Sequence, residues 1–130
     1  MTWLLDASVI IHVFEGHPGL TEAVARLDSV PEISALTRAE LENGIDRDPA
    51  QSADRRALLN EFLKTVAVQS FDKAAAVEYG RIVAAQGYSR PRTIDRMIAA
   101  QAISSRATLI TMNGNDFRAI AGLDLAVWTA

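Results

Sequence analysis

The sequence predicts a single α/β domain, a three-layer α/β/α sandwich around a central parallel sheet of about five strands. Short apolar segments alternate with longer segments of helical periodicity along the whole chain. The 130 residues suit one domain, residues 1–130, and an apolar share of 49% is sufficient for a sizeable core. Because strands that alternate with helices are joined by right-handed crossovers, we expect a parallel sheet covered on both faces.

Five segments are predicted to be strands because each is short, largely apolar and abruptly ended. They comprise residues 2–5, 32–35, 66–68, 108–111 and 125–128. The helices predicted between them comprise residues 9–14, 20–28, 37–45, 53–63, 73–86 and 95–105. Pro18, just before residues 20–28, suits an early helical turn, Asp72 can cap the fifth helix and Gly87 can end it. The last helix is apolar almost throughout, which predicts a central position.

Composition excludes several kinds of site. The chain has no cysteine, which excludes disulfides, zinc–thiolate centres and thiol nucleophiles and is compatible with a reducing compartment. The N-terminus has no basic stretch and no apolar run approaches the ~20 residues of a membrane span, so we expect neither a signal peptide nor a membrane partner. The net charge of −3 argues weakly against nucleic acid as a partner, although local arginine density matters more than the total.

Four acidic residues stand where predicted strands give way to helices or where a helix opens: Asp6, Glu40, Asp95 and Asp116. In an open parallel sheet, ligands bind outside the carboxyl ends of the strands, so these acids could gather in one crevice. Clustered carboxylates are costly unless a cation lies among them, and hard oxygen ligands select Mg²⁺ or Mn²⁺. The pattern predicts metal-assisted phosphoryl chemistry.

Helix capping is the alternative explanation for each acid taken alone. Glu40 stands three positions after Thr37, which is the spacing of a capping box, and Asp116 stands three positions after Asn113. Acids in a first helical turn also interact favourably with the helix dipole. Asp6 is explained least well in this way, because it directly follows a buried strand and leads into further apolar residues.

Four segments together resemble the PIN-domain proteins, and the short length resembles the VapC-type toxins of prokaryotic toxin–antitoxin pairs. The segments are MTWLLDASVII at residues 1–11, SALTRAELENGI at 34–45, DRMIAA at 95–100 and TMNGNDF at 111–117. Each is a weak signal alone, but the four occur in the family's order and spacing. The resemblance covers about residues 1–128.

The resemblance implies a Mg²⁺- or Mn²⁺-dependent endoribonuclease toxin that cleaves RNA phosphodiesters with a metal-activated water. It also implies a cognate antitoxin whose tail occupies the site, a homodimer, promoter DNA bound only through the antitoxin complex, and a prokaryotic, cytoplasmic location. One ion would be held by three of the acids, with Asp116 completing its shell or helping to hold a second. Carried over by position, the catalytic and metal-binding residues are Asp6, Glu40, Asp95 and Asp116, supported by Ser8, Thr111 and Asn113.

Two charged features near these motifs have competing interpretations. Arg92 and Arg96 flank Asp95, and we expect one or both to contact RNA phosphate; the alternative is a solvated face. Glu42 lies two positions beyond Glu40 on a predicted helix and so points about 200° away. It is expected to be exposed rather than to be a ligand.

Other functions remain open or are disfavoured by particular residues. A non-catalytic PIN-like module that binds RNA or protein is the main alternative. An aspartyl phosphatase usually needs a second Asp two positions after the first, where this chain has Ser8, and a receiver domain needs paired acids that are absent. A histidine-pair ribonuclease is not expected, because His12 and His17 lie away from the other motifs. Residues 9–14 could form a groove for a partner helix, or could equally be ordinary core.

Overall fold

The computed structural model describes all residues, Met1–Ala130, in five strands and six α-helices. The strands are β1 (Trp3–Leu5), β2 (Glu32–Ser34), β3 (Ala67–Gln69), β4 (Thr108–Thr111) and β5 (Asp124–Val127). The helices are α1 (Ala7–Phe14), α2 (Pro18–Ala25), α3 (Ala35–Ile45), α4 (Ser52–Leu63), α5 (Lys73–Gln86) and α6 (Thr93–Ser104). Each predicted strand and helix is present, with ends that differ by at most three residues. None of the helices combines the length and apolarity that a membrane span requires.

The five strands form one fully parallel sheet in the order β3-β2-β1-β4-β5. The chain first builds outward from β1 to β2 and β3 and later adds β4 and β5 on the other side. The strand order therefore reverses at β1, and in parallel sheets such a reversal is where ligands bind, outside the carboxyl ends of the two strands, here β1 and β4. The predicted fold class is confirmed, and the topology already indicates which edge of the sheet can hold a ligand.

Two apolar cores cover the two faces of the sheet. Leu4 packs with α5, α6 and Phe117 on one face, whereas the adjacent Leu5 packs with α1, α3 and α4 on the other. This split follows from the strand geometry, in which successive side chains point to opposite faces. The α6 helix contributes the fully buried Ala99 and Ala100, and their small side chains let the helix lie close to the sheet. The predicted central position of this helix is confirmed.

A buried polar bridge joins α3 and α6 at the carboxyl edge of the sheet. The Ser34 hydroxyl accepts from the amide of Leu36 at 3.0 Å, which caps α3, and donates to Gln101 Oε1 of α6 at 2.6 Å. The Gln101 amide in turn donates to the carbonyl of Gln69 at 2.8 Å, at the end of β3. This bridge links the start of α3 to α6, the two helices that carry Glu40 and Asp95.

The capping box predicted for Thr37 and Glu40 is wrong. Helix α3 begins at Ala35 with Ser34 as its cap, so Thr37 lies inside the helix and is fully buried. Glu40 is then in the second helical turn, beyond the reach of a helix-start motif. The physical reason is that Ser34 gains a second buried partner in Gln101, which Thr37 does not have.

Candidate active site

Asp6 is the only buried acidic residue of the chain. It occupies the cap position of α1 directly after β1, yet its side chain makes no capping hydrogen bond. Its carboxylate instead accepts two hydroxyl bonds on one oxygen, from Ser8 Oγ at 2.8 Å and from Thr111 Oγ1 at 2.7 Å, both to Oδ2. Capping therefore does not explain Asp6, and the second carboxylate oxygen, Oδ1, is left for another partner.

The two hydroxyls that hold Asp6 are themselves positioned by the backbone after β4. Ser8 Oγ accepts from the amide of Met112 at 3.0 Å, and Thr111 Oγ1 accepts from the amide of Asn113 at 3.0 Å. Because both hydroxyl protons point at Asp6, the 3.3 Å approach of the two hydroxyl oxygens is a contact rather than a further hydrogen bond. Thr111 and Ser8 thus orient Asp6 at the point where the strand order reverses.

Glu40 and Asp95 lie close enough to Asp6 for its charge to act on both, and Asp116 acts on Asp95 in the same way. Loss of water around the carboxyl raises the pKa of Glu40 to about 7, and the charges of Asp6 and then Asp95 add to the rise. Partial burial raises the pKa of Asp95 to about 6, with further contributions from Asp6 and Asp116. Like charges that disfavour each other's ionised form must lie close together. We call this group of four acids the acidic cleft.

The four carboxylates of the acidic cleft are spaced too widely for all of them to contact one ion directly. The only trio of metal-ligand side chains with donor atoms all within 4.8 Å of one another is His12, Glu15 and His17, which lies outside the cleft. No three of the four carboxylates therefore have oxygen atoms that all lie within 4.8 Å of one another, as direct contact of three carboxylates with one ion would require. Mg²⁺ retains several waters and is usually held by only one or two carboxylates, so a hydrated ion suits this spacing.

The fourth acid follows β4 on a short 3-10 turn, Gly114–Asp116. At Gly114 a Cβ atom would approach Val127 Cγ2 of β5 to 2.7 Å, so a larger residue there would have to displace that side chain. Asn113 and Asp116 are both exposed at the mouth of this turn. The charge of Asp116 reaches Asp95, which places the turn at the cleft; Asn113 contributes its backbone amide to Thr111.

The two arginines proposed for phosphate binding have different environments. Arg92 is exposed, and its positive charge opposes the rise in the pKa of Asp95, so it lies beside the cleft. Arg96 is buried, and its guanidinium donates to the carbonyl of Gly87 at 2.6 Å and to Gln86 Oε1 at 3.1 Å. The expectation that Arg96 contacts RNA is therefore corrected: it ties α6 to the end of α5. One position along a helix turns a side chain by about 100°, which separates Arg96 from Asp95.

Glu42 faces away from the acidic cleft, as its spacing from Glu40 predicts. Its carboxylate accepts from Arg38 Nε at 3.0 Å and from both Arg56 Nη atoms at 2.9 and 2.7 Å, and these bonds lower the pKa of Glu42 to about 2. It is partly covered by these partners rather than freely exposed. Glu42 therefore links α3 to α4 and is not a metal ligand.

A cavity of about 590 Å³ adjoins the cleft between α1, α3 and α4. Residues 9–14 contribute Ile11 and Phe14 to its lining, whereas Val9 and Ile10 are fully buried in the core. The groove and core interpretations of this segment are thus each correct for different residues. The wall that α4 adds to the cavity was not predicted. Its mark is Leu58, an apolar residue that is exposed rather than packed in the core. Glu40 also lines the cavity, which makes it continuous with the cleft.

Known proteins resemble this chain over nearly its whole length. The PIN domain family profile matches residues 3–123. Ribonuclease VapC2 of Rickettsia felis is 26% identical over 98% of each chain, and the tRNA(fMet)-specific endonuclease VapC of Shigella flexneri is 29% identical over 99% of each. Their names describe RNA-cleaving enzymes.

Solved structures of similar fold include several VapBC structures. VapBC2 of Rickettsia felis, bound to a DNA fragment of its promoter, has a TM-score of 0.88 at 24% identity and covers 99% of this chain and 100% of that one. VapBC-1 of nontypeable Haemophilus influenzae has a TM-score of 0.81 at 27% identity, with 100% of both chains covered. The resemblance to PIN-domain proteins of the VapC type is confirmed, and this chain belongs to the PIN-domain family.

Proposed function

We propose that this protein is a metal-dependent endoribonuclease of the VapC toxin type, which hydrolyses RNA phosphodiesters in the acidic cleft. The observation that carries the proposal is the environment of Asp6, a buried carboxylate held by Ser8 and Thr111 at the sheet's reversal point. Such an orientation serves no capping role. The full-length similarity to a ribonuclease and a tRNA endonuclease supports the same chemistry.

The donor set of the cleft fits a hard divalent cation. All four side chains offer carboxylate oxygens, and oxygen donors favour Mg²⁺ or Mn²⁺ over softer metals. The raised pKa values of Glu40 and Asp95 show that the metal-free cleft resists carrying its full negative charge. Asp6, Glu40 and Asp95 would hold the ion, and Asp116 would complete its surroundings or help to hold a second. When bound, such an ion lowers the pKa of an attacking water and offsets charge on the phosphate.

The chain's own residues would position the substrate around this centre. Ser8 and Thr111 keep the free oxygen of Asp6 in one place, which limits reorganisation during the reaction. Arg92 is exposed beside Asp95 and is the arginine available to a backbone phosphate. Since phosphate contacts carry no sequence information, Arg92 would affect affinity rather than choice of target.

The cavity beside the cleft is suited to a partner helix. Its apolar residues Ile11, Phe14 and Leu58 could receive the apolar face of an amphipathic helix, while Arg47 and Arg55 at its lining could pair with acidic groups. We therefore include a cognate antitoxin among the partners, with a homodimer and with promoter DNA bound only through the antitoxin complex. The solved VapBC structures, one of them on promoter DNA, support this part of the proposal. A cytoplasmic, prokaryotic location belongs to the same proposal.

The test compares two glutamates of one helix in an RNA cleavage assay. Glu40→Gln should strongly reduce cleavage in Mn²⁺ or Mg²⁺, because Glu40 belongs to the cleft. Glu42→Gln, two positions away and paired with Arg38 and Arg56, should retain it. Chelation of the metal should stop cleavage by the wild type. Binding of RNA without any metal-dependent cleavage would instead support a non-catalytic PIN-like module.

A further inference from the structure

The turn between α1 and α2 brings two imidazoles and a carboxylate together through its backbone. The amide of His17 donates to the carbonyl of His12 at 3.3 Å, and the amide of Gly16 donates to the carbonyl of Val13 at 3.0 Å. This pair of bonds, with Gly16 at φ +86°, is the Schellman motif. Gly16 supplies a left-handed conformation that other residues adopt only with strain.

The Schellman motif brings the residues at its two ends into contact. These positions usually hold apolar side chains that pack together. Here they are His12 and His17, whose ring centroids lie 5.2 Å apart. Glu15 lies between them, with Oε2 at 3.5 Å from His17 Nε2. One donor atom from each of the three residues falls within 4.8 Å of the others. We call this group the histidine turn.

One imidazole of the histidine turn already has a fixed proton. His12 Nδ1 lies 2.7 Å from the carbonyl oxygen of Ser8, which can only accept, so Nδ1 carries the hydrogen. In neutral His12 the lone pair is then on Nε2. Metal-binding histidines characteristically donate their other ring N–H to a carbonyl or carboxylate, which fixes the ring and its tautomer. His12 has this arrangement.

We propose that the histidine turn binds a divalent transition-metal ion, with zinc the best match, through His12 Nε2, the Glu15 carboxylate and His17. Two imidazoles and one carboxylate form a known zinc donor set, with a water in the fourth position. A tetrahedral zinc site with bonds of ~2.0–2.1 Å has ligand-to-ligand edges of roughly 3.3 Å. The 3.5 Å separation of Glu15 and His17 is close to that edge. The proposal is independent of ribonuclease activity.

The histidine turn should differ from the acidic cleft in the metal it selects. Imidazole nitrogen favours zinc, nickel or copper, whereas carboxylate oxygen favours magnesium or manganese. Excess Mg²⁺ should therefore occupy the cleft and leave the turn free. The absence of cysteine removes competing thiolates from the chain. The site also adjoins the cavity, because Glu15 belongs to its lining, so a bound ion would add positive charge at that rim.

The test titrates Zn²⁺ into the protein in the presence of excess Mg²⁺ and follows the histidine ring protons by NMR. The chain has two histidines, so both sets of signals can be assigned and both should shift, saturating at one ion per chain. Co²⁺ in place of Zn²⁺ should give a visible absorption band. His17→Ala should weaken binding more than about 10-fold, since loss of a ligand should exceed the typical effect of losing a residue that only supports one. His17 is partly exposed, so this variant should fold.

Three further variants separate the histidine turn from other acids. Glu15→Gln should weaken Zn²⁺ binding, whereas Glu22→Gln, an exposed glutamate of α2 outside the turn, should not. Asp6→Asn, which alters the cleft, should leave Zn²⁺ binding intact. Histidine signals that do not move, binding that survives in His17→Ala, or binding that is lost in Asp6→Asn would each overturn the proposal.

Discussion

The acidic cleft and the histidine turn assemble their side chains in opposite ways. The cleft draws on four positions between Asp6 and Asp116, on different elements of the fold. The histidine turn draws on residues 12–17 alone, and its backbone hydrogen bonds are all local. The cleft therefore depends on correct packing of α3 and α6 against the sheet, whereas the turn depends mainly on a glycine in the left-handed conformation.

The two sites also differ in the charges of their side chains. The cleft concentrates acids whose mutual repulsion and partial loss of water raise the pKa of Glu40 and Asp95. The turn combines one exposed carboxylate with two imidazoles that can be neutral. Cation binding should thus relieve electrostatic repulsion in the cleft but mainly form coordinate bonds in the turn. Variants that affect one site and spare the other give the sharpest comparison.

The largest effect is expected for Asp6→Asn. The substitution keeps the shape of the side chain and its ability to accept from Ser8 and Thr111, but removes the charge that would bind the ion. RNA cleavage in Mn²⁺ should fall by more than about 100-fold, while the circular dichroism spectrum and melting temperature stay near wild type. Asp124→Asn, an exposed acid on β5, is the matched control. A folded Asp6→Asn protein with wild-type cleavage would remove Asp6 from the site.

A smaller loss is expected for Thr111→Val. Valine has nearly the shape of threonine but cannot donate to Asp6 Oδ2, so the carboxylate loses one of its two orienting bonds. Metal affinity or cleavage should fall by about 10–100-fold, as is usual when a residue that orients a ligand is removed. Thr111→Ser keeps the hydroxyl and should restore most of the activity. Equal activity in the valine and serine variants would show that the hydroxyl does not position Asp6.

Metal-dependent stabilisation should grow with pH. Because the native pKa of Glu40 is raised from 4.5 to about 7 and that of Asp95 from 3.8 to about 6, the native state holds more protons than the unfolded state in this range. These two acids therefore make the metal-free protein less stable as pH rises from about 4 to 7. Protons also compete with the ion for the same carboxylates.

Thermal melts with and without Mn²⁺ test this sign. The ion should raise the melting temperature at pH 8 and have little effect at pH 5; at one hundred times its dissociation constant it would contribute about 2.7 kcal/mol. Glu40→Gln should remove most of the increase, and His17→Ala should not alter it. An equal increase at both pH values would mean that Mn²⁺ binds elsewhere.

The smallest effects on cleavage are expected for substitutions of Arg92 and Arg96. The first should affect RNA binding and the second the stability of the fold. Arg92→Gln should weaken RNA binding modestly and flatten its salt dependence, because one phosphate contact is lost. Arg96→Gln should instead lower the free energy of unfolding by about 1.5–3 kcal/mol, through loss of its charged hydrogen bonds to Gly87 and Gln86. Binding measurements across a salt series and denaturant melts distinguish the two outcomes.

Several features of the site could be predicted because they depend on neighbours in the chain. Asp6 was identified from a strand that ends abruptly in an acid, and Glu42 was excluded by helical spacing from Glu40. The Schellman turn at Gly16 is local in the same sense, although the pairing of His12 with His17 was not predicted. A glycine between two histidines at these positions is the signal that would have revealed it.

What the sequence alone determined is the succession of strands and helices, the parallel α/β class and the acid that ends β1, because periodicity and turn chemistry act over a few residues. Tertiary structure decided that Ser34 caps α3, through Gln101 lying 67 positions away, and that Arg96 is buried against the end of α5. It also brought Asp6 and Thr111 into contact across 105 positions. Such roles depend on partners supplied by distant elements, and only the packed sheet and helices bring those partners within hydrogen-bonding distance.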